Sequence, residues 1–416
     1  MRYAMALVLS GGSGDRMSVL SAERAVSAIP FGGKYRVIDF VLSNCCHSEI
    51  ERVGVLTQRA PTSLHDHIGS GRPWDLDRRI GGVSILQPYM TREHAGWYRG
   101  TADAVAQNWD RIEDSRVARV LVLSGDHVYK MDYRALLQTH EQNAAAVTLA
   151  VTPVPPGECH RFGMVTLGPD GSVRGLEEKP AATSARLASM GIYLFESEVL
   201  AEALRGHPVD LVLDVLRPLI EAGERVHAHE FNGYWEDIGT LESYYRASLD
   251  LLVPEPRLFL NDLRWPILTL DEERPPVLVL PGAEIEESLV ANGCRVSGRV
   301  RHSILFPGVT VEAGAEIVDS VIMQDVLVGH GARVDYSILD KYVRVGGGAV
   351  VGDGDRPDGD AIAALTLAGK YATIPDGSRV GRRVVLGVGT GPEDFTGNAV
   401  PSGTRVPDRP AHADLA

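Results

Sequence analysis

Basic residues are in short supply in this chain. Lys and Arg number 41 against 55 Asp and Glu, a net charge of −14. That deficit speaks against nucleic acid or an anionic membrane as the main partner. Lysine is scarcer still, occurring only at 34, 130, 179, 341 and 370, so arginine supplies the other 36 cations. Any lysine that falls inside a motif therefore merits inspection. Cysteine is sparse as well: Cys45, Cys46, Cys159 and Cys294 make no CxxC pair and no zinc-like spacing. A disulfide framework and a structural zinc site are excluded on that count. No run reaches the ~18 apolar residues of a membrane span. The opening MRYAMALVLSGG runs from its apolar stretch straight into glycines, with no basic leader or cleavage site, so a cytoplasmic protein is expected.

What is present has two characters. Over residues 1–251 short β-rich runs, Ala6 to Ser10, Val53 to Thr57, Val120 to Ser124 and Ala146 to Val151, alternate with helical stretches. This predicts an α/β sheet, largely parallel, with ligands at the carboxyl ends of its strands. FGMVTLGPDGSVRGLEEKP reads as a hairpin turning at Pro169-Asp170-Gly171. Residues 252–285 carry six prolines, too many for a long helix or central strand, and read as a linker. Over 286–390 aliphatics recur every five or six residues: Leu305, Val311, Ile317, Ile322, Val328, Val334, Leu339, Val345 and Val351, then more weakly Ile374, Val380 and Val385. That period fits a parallel β-helix of hexapeptide coils better than an irregular meander. Residues 391–416 read as a polar tail.

Several motifs carry possible chemistry. SGGSGDR follows a strand, and Gly11, Gly12 and Gly14 let backbone N–H groups approach a phosphate chain, with Arg16 placed to neutralise it. It is neither a Walker loop nor a GxGxxG dinucleotide loop. GDH ends a buried strand with Asp126; by itself this is a turn or capping aspartate, whereas with Asp237 of YWEDIGT it supplies the hard oxygen ligands of Mg²⁺. Lys179 in EEKP is either a solvated lysine or a phosphate ligand. WYRGTAD, Trp97 to Asp103, is a substrate wall or a packed helix start.

In order, SGGSGDR, AIPFGGKYRVIDFVLSN, VGVLTQ, WYRGTADAV, LVLSGDHVYKMDY, FGMV, EEKP, LASMGIYLF, YWEDIGT and RWPI resemble the ADP-glucose pyrophosphorylase family of sugar-1-phosphate nucleotidyltransferases over residues 3 to 352. The resemblance implies a GT-A-like (Rossmann-like) domain followed by a left-handed β-helix, assembled as a homo-oligomer. It implies attack of a sugar 1-phosphate on the α-phosphorus of an NTP with loss of pyrophosphate. By matching motif, Gly11, Gly12, Gly14 and Arg16 hold the triphosphate and Asp126 and Asp237 bind Mg²⁺. Lys179 and Glu178 grip the sugar phosphate and hydroxyls, while Tyr98, Gly163 and Ser189 line the sugar side. Arg16, Asp126 and Lys179 form the catalytic set.

The chain also departs from that pattern. The lysine of RAKPA is Val26, the small hydroxyl residue before Arg16 is Asp15, and the AQQ segment that reads adenine is Pro88, Tyr89 and Met90. The lysine of a DFGKD-like stretch is missing from Asp210 to Asp214. All fall on the nucleotide side, while the metal carboxylates and the sugar-phosphate side stay. An active enzyme with altered substrates is therefore expected. It resembles actinobacterial antibiotic-pathway enzymes that use GTP to convert valienol 1-phosphate into GDP-valienol. The alternatives are ATP with glucose 1-phosphate, giving ADP-glucose for glycogen synthesis, and a non-catalytic regulatory subunit. His302 and His330 in the coils raise an acyltransferase role, but no second substrate motif accompanies them.

Overall fold

The computed structural model describes residues 4–89, 96–355 and 364–407. The chain forms two compact units, each discontinuous in sequence. The first comprises residues 1–13, 37–236 and 263–268, and the second 14–36, 237–262 and 269–416. Among the described residues no helix is long and apolar enough to cross a membrane.

The first unit is built on β1 (Ala4–Ser10), an apolar strand buried along nearly its whole length. It lies between β2 (Arg52–Thr57) and β4 (Arg119–Ser124), parallel to both, with β3 (Gly82–Leu86) parallel beyond β2. Continuous aliphatic runs such as these need cover on both faces, which is the burial expected of parallel strands. The sheet is mixed rather than largely parallel. After β5 (His127–Tyr129) and β6 (Val147–Pro153), the Pro169-Asp170-Gly171 turn joins β7 (Gly163–Leu167) and β8 (Val173–Glu178) as an antiparallel hairpin. The long β9 (Leu187–Glu196) then runs antiparallel to β4, β6 and β7, and β10 (Val226–Glu230) closes the edge parallel to β6. No helix separates β7, β8 and β9: the chain reverses between β7 and β8, and β9 then returns on the other side of β7, so that β8 and β9 flank it and are both antiparallel to it.

In the second unit, three sheets of short parallel strands stack into a β-helix running from Leu278 to Val406. One pillar of inward side chains runs Val300, Ile317, Val334, Val351, Val380 and Val400. A second runs Leu305, Ile322, Leu339, Ala368 and Leu386. The nine aliphatics expected to point inward from Leu305 to Val351 are all buried. Beyond Val380 the inward residue is Leu386 and not Val385, which is half-buried. With two aliphatics adjacent, the period alone selects neither. The β-strands thus extend into both the 252–285 and the 391–416 segments.

A column of serines lines one corner of the stack. The Ser288 hydroxyl accepts the Ser303 N–H, that of Ser303 accepts the Ser320 N–H, and that of Ser320 accepts the Ser337 N–H, each at 3.1 Å. Each hydroxyl donates in turn to the carbonyl two residues earlier, so no buried donor is orphaned. Residues 14–36 and the helix Leu241–Leu249 pack within this unit. Tyr245 donates to the Asp319 carbonyl at 2.6 Å, and the buried Arg24 pairs with the buried Asp340. His302 is engaged by Asp319 at 2.6 Å, a structural contact.

Candidate active site

β1 and β4 are parallel neighbours with Leu9 opposite Ser124, so Gly11-Gly12 and Gly125-Asp126 leave the sheet from the same edge. Between them lies a cavity of about 330 Å³ lined by Gly11, Gly12, Tyr98, Asp126 and Gln58 among others. Four expected site residues are therefore brought to one place. At Gly12 an added Cβ would meet nothing within 4 Å, so its backbone faces open space. Gly125 is the opposite case: its N–H donates to the Leu9 carbonyl at 2.9 Å. A Cβ there would lie 2.4 Å from Ser10 Oγ and 2.9 Å from that carbonyl oxygen. Glycine is what allows the two strand ends to close.

Asp126 is about one-third exposed, and its Oδ1 accepts the Ser124 hydroxyl at 2.6 Å. Oδ2 takes no hydrogen bond from any described residue. A hard, partly desolvated carboxylate oxygen at the mouth of a cavity is a fitting ligand for Mg²⁺. Among the described residues no group of three or more His, Cys, Asp or Glu side chains is assembled to hold a metal. Phosphate and water oxygens would have to complete the shell. The buried Ser10 hydroxyl, left without a partner, is a further oxygen at this edge.

Sequence reading gave Gln58 no role, although VGVLTQ ends on it. Its Oε1 accepts the Tyr98 N–H at 2.7 Å, and its amide nitrogen lies 3.4 Å from the Tyr98 carbonyl and 3.5 Å from that of Gly11. One amide thus ties the glycine loop to the WYRG segment. The Tyr98 hydroxyl accepts from Asn108 at 2.9 Å, and burial raises its pKa, keeping the phenol neutral. Arg99 is held by Asp103, the acid of the same motif. Tyr98, expected on the sugar side, lines the cavity that also holds Gly11, Gly12 and Asp126.

A second cluster sits on β7, β8 and β9. A Cβ on Gly163 would lie 3.0 Å from Glu178 Oε2 and 3.8 Å from Ser189 Cβ, so the glycine makes room for the carboxylate. Lys179 follows with φ +46°, its N–H donating to the Phe162 carbonyl at 3.0 Å and its ammonium 3.3 Å from Glu178. The Ser189 hydroxyl shares a 3.1 Å hydrogen bond with Tyr193, whose phenol is pushed up to about 12 by burial. β9 also reaches the first cluster: the Met190 carbonyl lies 3.1 Å from Nδ1 of His127, the residue after Asp126.

Gly14, Arg16 and Asp237 belong to the second unit. Gly14 has φ +68°, and a Cβ there would meet Ser21 at 2.9 Å and Val26 at 3.0 Å. Arg16 is exposed on the short 3₁₀ turn Asp15–Ser21. Asp237 accepts the Gly239 N–H at 2.8 Å. Val26 is buried against the glycine loop. Tyr89 is half-exposed and its hydroxyl donates to the Gln107 carbonyl at 3.2 Å; Met90 lies outside the described residues.

Comparison with known proteins shows the family. A family model described as Nucleotidyl transferase matches residues 5–253, and one described as GlmU-like, C-terminal hexapeptide matches residues 281–369. A glucose-1-phosphate adenylyltransferase of Thermomicrobium roseum is 49% identical over 414 residues, covering 96% of each chain. Enzymes of the same name from Acetivibrio thermocellus and Pseudothermotoga lettingae are 41% and 42% identical. The match covers 92% of both chains in the first case, and 98% of this chain and 99% of its relative in the second. The relatives match along nearly the whole length, and the chain belongs to the ADP-glucose pyrophosphorylase (glucose-1-phosphate adenylyltransferase) family and is a sugar-1-phosphate nucleotidyltransferase.

Proposed function

We propose that this chain joins ATP and glucose 1-phosphate into ADP-glucose with release of pyrophosphate, as a Mg²⁺-dependent, cytoplasmic homo-oligomer supplying glycogen synthesis. The observation that carries the reading is the meeting of Gly11, Gly12 and Asp126 around one cavity at the carboxyl edge of β1 and β4. The relatives' names favour ATP and glucose over GTP and a cyclitol.

The reaction is a displacement at phosphorus. A phosphate oxygen of glucose 1-phosphate forms a bond to the α-phosphorus while the bond from that phosphorus to the bridging oxygen of pyrophosphate breaks. No covalent enzyme intermediate is needed, so catalysis rests on alignment and on cancelling oxygen charge. In this reading the Gly11, Gly12 and Gly14 backbones cradle the triphosphate and Arg16 offsets its charge. Lys179 binds the sugar phosphate, steered by Glu178, while Gly163, Ser189 and Tyr98 border the sugar. Mg²⁺ held by Asp126 and Asp237 would supply Lewis-acid neutralisation of the reacting phosphates.

The guanylyl reading keeps its place in the test because of Asp15, Val26, Tyr89 and Met90. It lacks a positive contact: the Tyr89 hydroxyl is already committed to a backbone carbonyl. The deciding assay follows pyrophosphate release by the purified protein with Mg²⁺, crossing ATP, GTP, UTP and dTTP against glucose 1-phosphate and valienol 1-phosphate. Turnover with ATP and glucose 1-phosphate supports the proposal. GTP with valienol 1-phosphate replaces it by the antibiotic-pathway reading, and silence in every combination replaces it by a regulatory subunit. Light scattering after size exclusion reads the oligomeric state, and a monomer would remove that part of the proposal.

A further inference from the structure

His127 is buried beside Asp126, and three groups compete for its two ring nitrogens. Nδ1 lies 3.1 Å from the Met190 carbonyl oxygen and 3.3 Å from Trp235 Nε1. Nε2 lies 3.6 Å from Asp126 Oδ1, inside electrostatic reach though too long for a hydrogen bond. An indole nitrogen only donates. A neutral ring with its proton on Nε2 therefore accepts from Trp235 and turns an N–H toward the carboxylate. The opposite tautomer satisfies the Met190 carbonyl alone. It sets the Trp235 N–H against another N–H and points a lone pair at Asp126.

Packing holds the ring in this attitude. The Trp235 ring stands edge-on to it, with centroids 5.2 Å apart and planes at 85°. Gly191 has φ +66°, and a Cβ there would lie 3.3 Å from both His127 Cε1 and Ser124 Cβ. A larger residue at 191 would thus press on both groups that address Asp126. Ser124 and His127 both engage Oδ1, which leaves Oδ2 as the oxygen turned to other partners.

We propose that His127, oriented by Trp235, is a positioning residue: as its Nε2–H tautomer it fixes the Asp126 carboxylate so that Oδ2 is presented for cation and phosphate. The inference rests on Asp126 being the metal-binding carboxylate of the reading above. Four variants test it: His127→Phe, His127→Gln, Trp235→Phe and Asp126→Asn. For His127→Phe kcat should fall ~10- to 100-fold, with KM for both substrates within about threefold and a raised Mg²⁺ requirement. His127→Gln keeps an N–H near the Nε2 position and should recover kcat to within about fivefold of the parent, while Trp235→Phe should lose about three- to tenfold. A long-range ¹H–¹⁵N spectrum of histidine-labelled protein, with the His127 signals assigned by their loss in His127→Gln, should show the Nε2–H tautomer.

An Nδ1–H tautomer overturns the inference even if His127→Phe does not fold. So does a folded His127→Phe enzyme with kcat within about twofold of the parent, or a His127→Gln enzyme as impaired as His127→Phe at equal thermal midpoint. If Asp126→Asn is inactive while His127→Phe is unimpaired, this inference alone falls. If Asp126→Asn turns over normally, the underlying assignment of Asp126 falls first.

Discussion

Gly125→Ala is the sharpest single perturbation of the proposed site. The new methyl would stand 2.4 Å from Ser10 Oγ, 2.9 Å from the Leu9 carbonyl oxygen and 3.2 Å from Val8 Cγ1. The first of these is a side chain that can turn aside. The second is strand backbone already bonded to the Gly125 N–H at 2.9 Å, so it yields only if β1 and β4 part at their ends. Overpacking of this kind costs about 1–3 kcal/mol. The larger effect is on turnover, because the displaced residues carry the Gly11 loop and Asp126, and a shift of ~1 Å in such a site costs roughly 100-fold. Ser10→Ala removes the nearer clash and leaves the farther. The double variant should therefore be more active than Gly125→Ala alone, with a coupling energy of about 0.5–3 kcal/mol. Pyrophosphate release and urea denaturation on the four proteins of the cycle read both quantities. A Gly125→Ala enzyme with parental kcat and stability would refute the argument, as would strict additivity with Ser10→Ala.

Further expectations concern other parts of the molecule. Ser320→Ala removes a fully buried hydroxyl that accepts from Ser337 and donates to Val318, and should cost about 2–4 kcal/mol, whereas Ser288→Ala at the half-buried end of the column should cost less than about 1 kcal/mol; equal losses in denaturant titrations would contradict the ladder. Lys341 is driven down to about 7, first by burial and then by Arg36 and Arg24. A cation disfavoured by folding makes stability rise with pH between that value and its ordinary 10.5, so Lys341→Met should flatten the rise in thermal midpoint from pH 7 to 10. An unchanged slope would show that the group is not strained in the fold. Val26→Lys places an ammonium where a buried methyl packs on the glycine loop; it should lower the thermal midpoint without raising ATP use, and a gain in ATP turnover would show that the site keeps its lysine niche. Gln58→Ala should weaken substrate binding by freeing Tyr98 from the glycine loop, and unaltered KM values would remove its bridging role.

Much of the architecture is legible from residues because its causes are local. The runs ending at Ser10, Thr57 and Ser124 announce their strands, since each is apolar throughout and stops at a polar or glycine turn. The inward pillars of the β-helix announce themselves by period. Strand direction is not local. β9 carries no mark that it returns antiparallel against β4. The site divides along the same line. Gly11, Gly12 and Asp126 sit next to strand ends that the sequence reveals. Gln58 acts on Tyr98 forty residues away, and His127 is held by Met190 and Trp235 at separations of 63 and 108 residues. Such roles arise from which strands become neighbours, and no short window of sequence contains that.

The coils of the β-helix have a consequence for how the chain can change. Corresponding serines are 15 or 17 residues apart in the early coils, whereas Val351 pairs with Val380 across a longer stretch of sequence. Register there is relative and not absolute: each rung needs only the one below it as a template, and carries no address within the whole stack. Genetic insertion into one coil therefore leaves the instructions of every later coil readable, so the stack can gain or lose surface loops without its core being recoded.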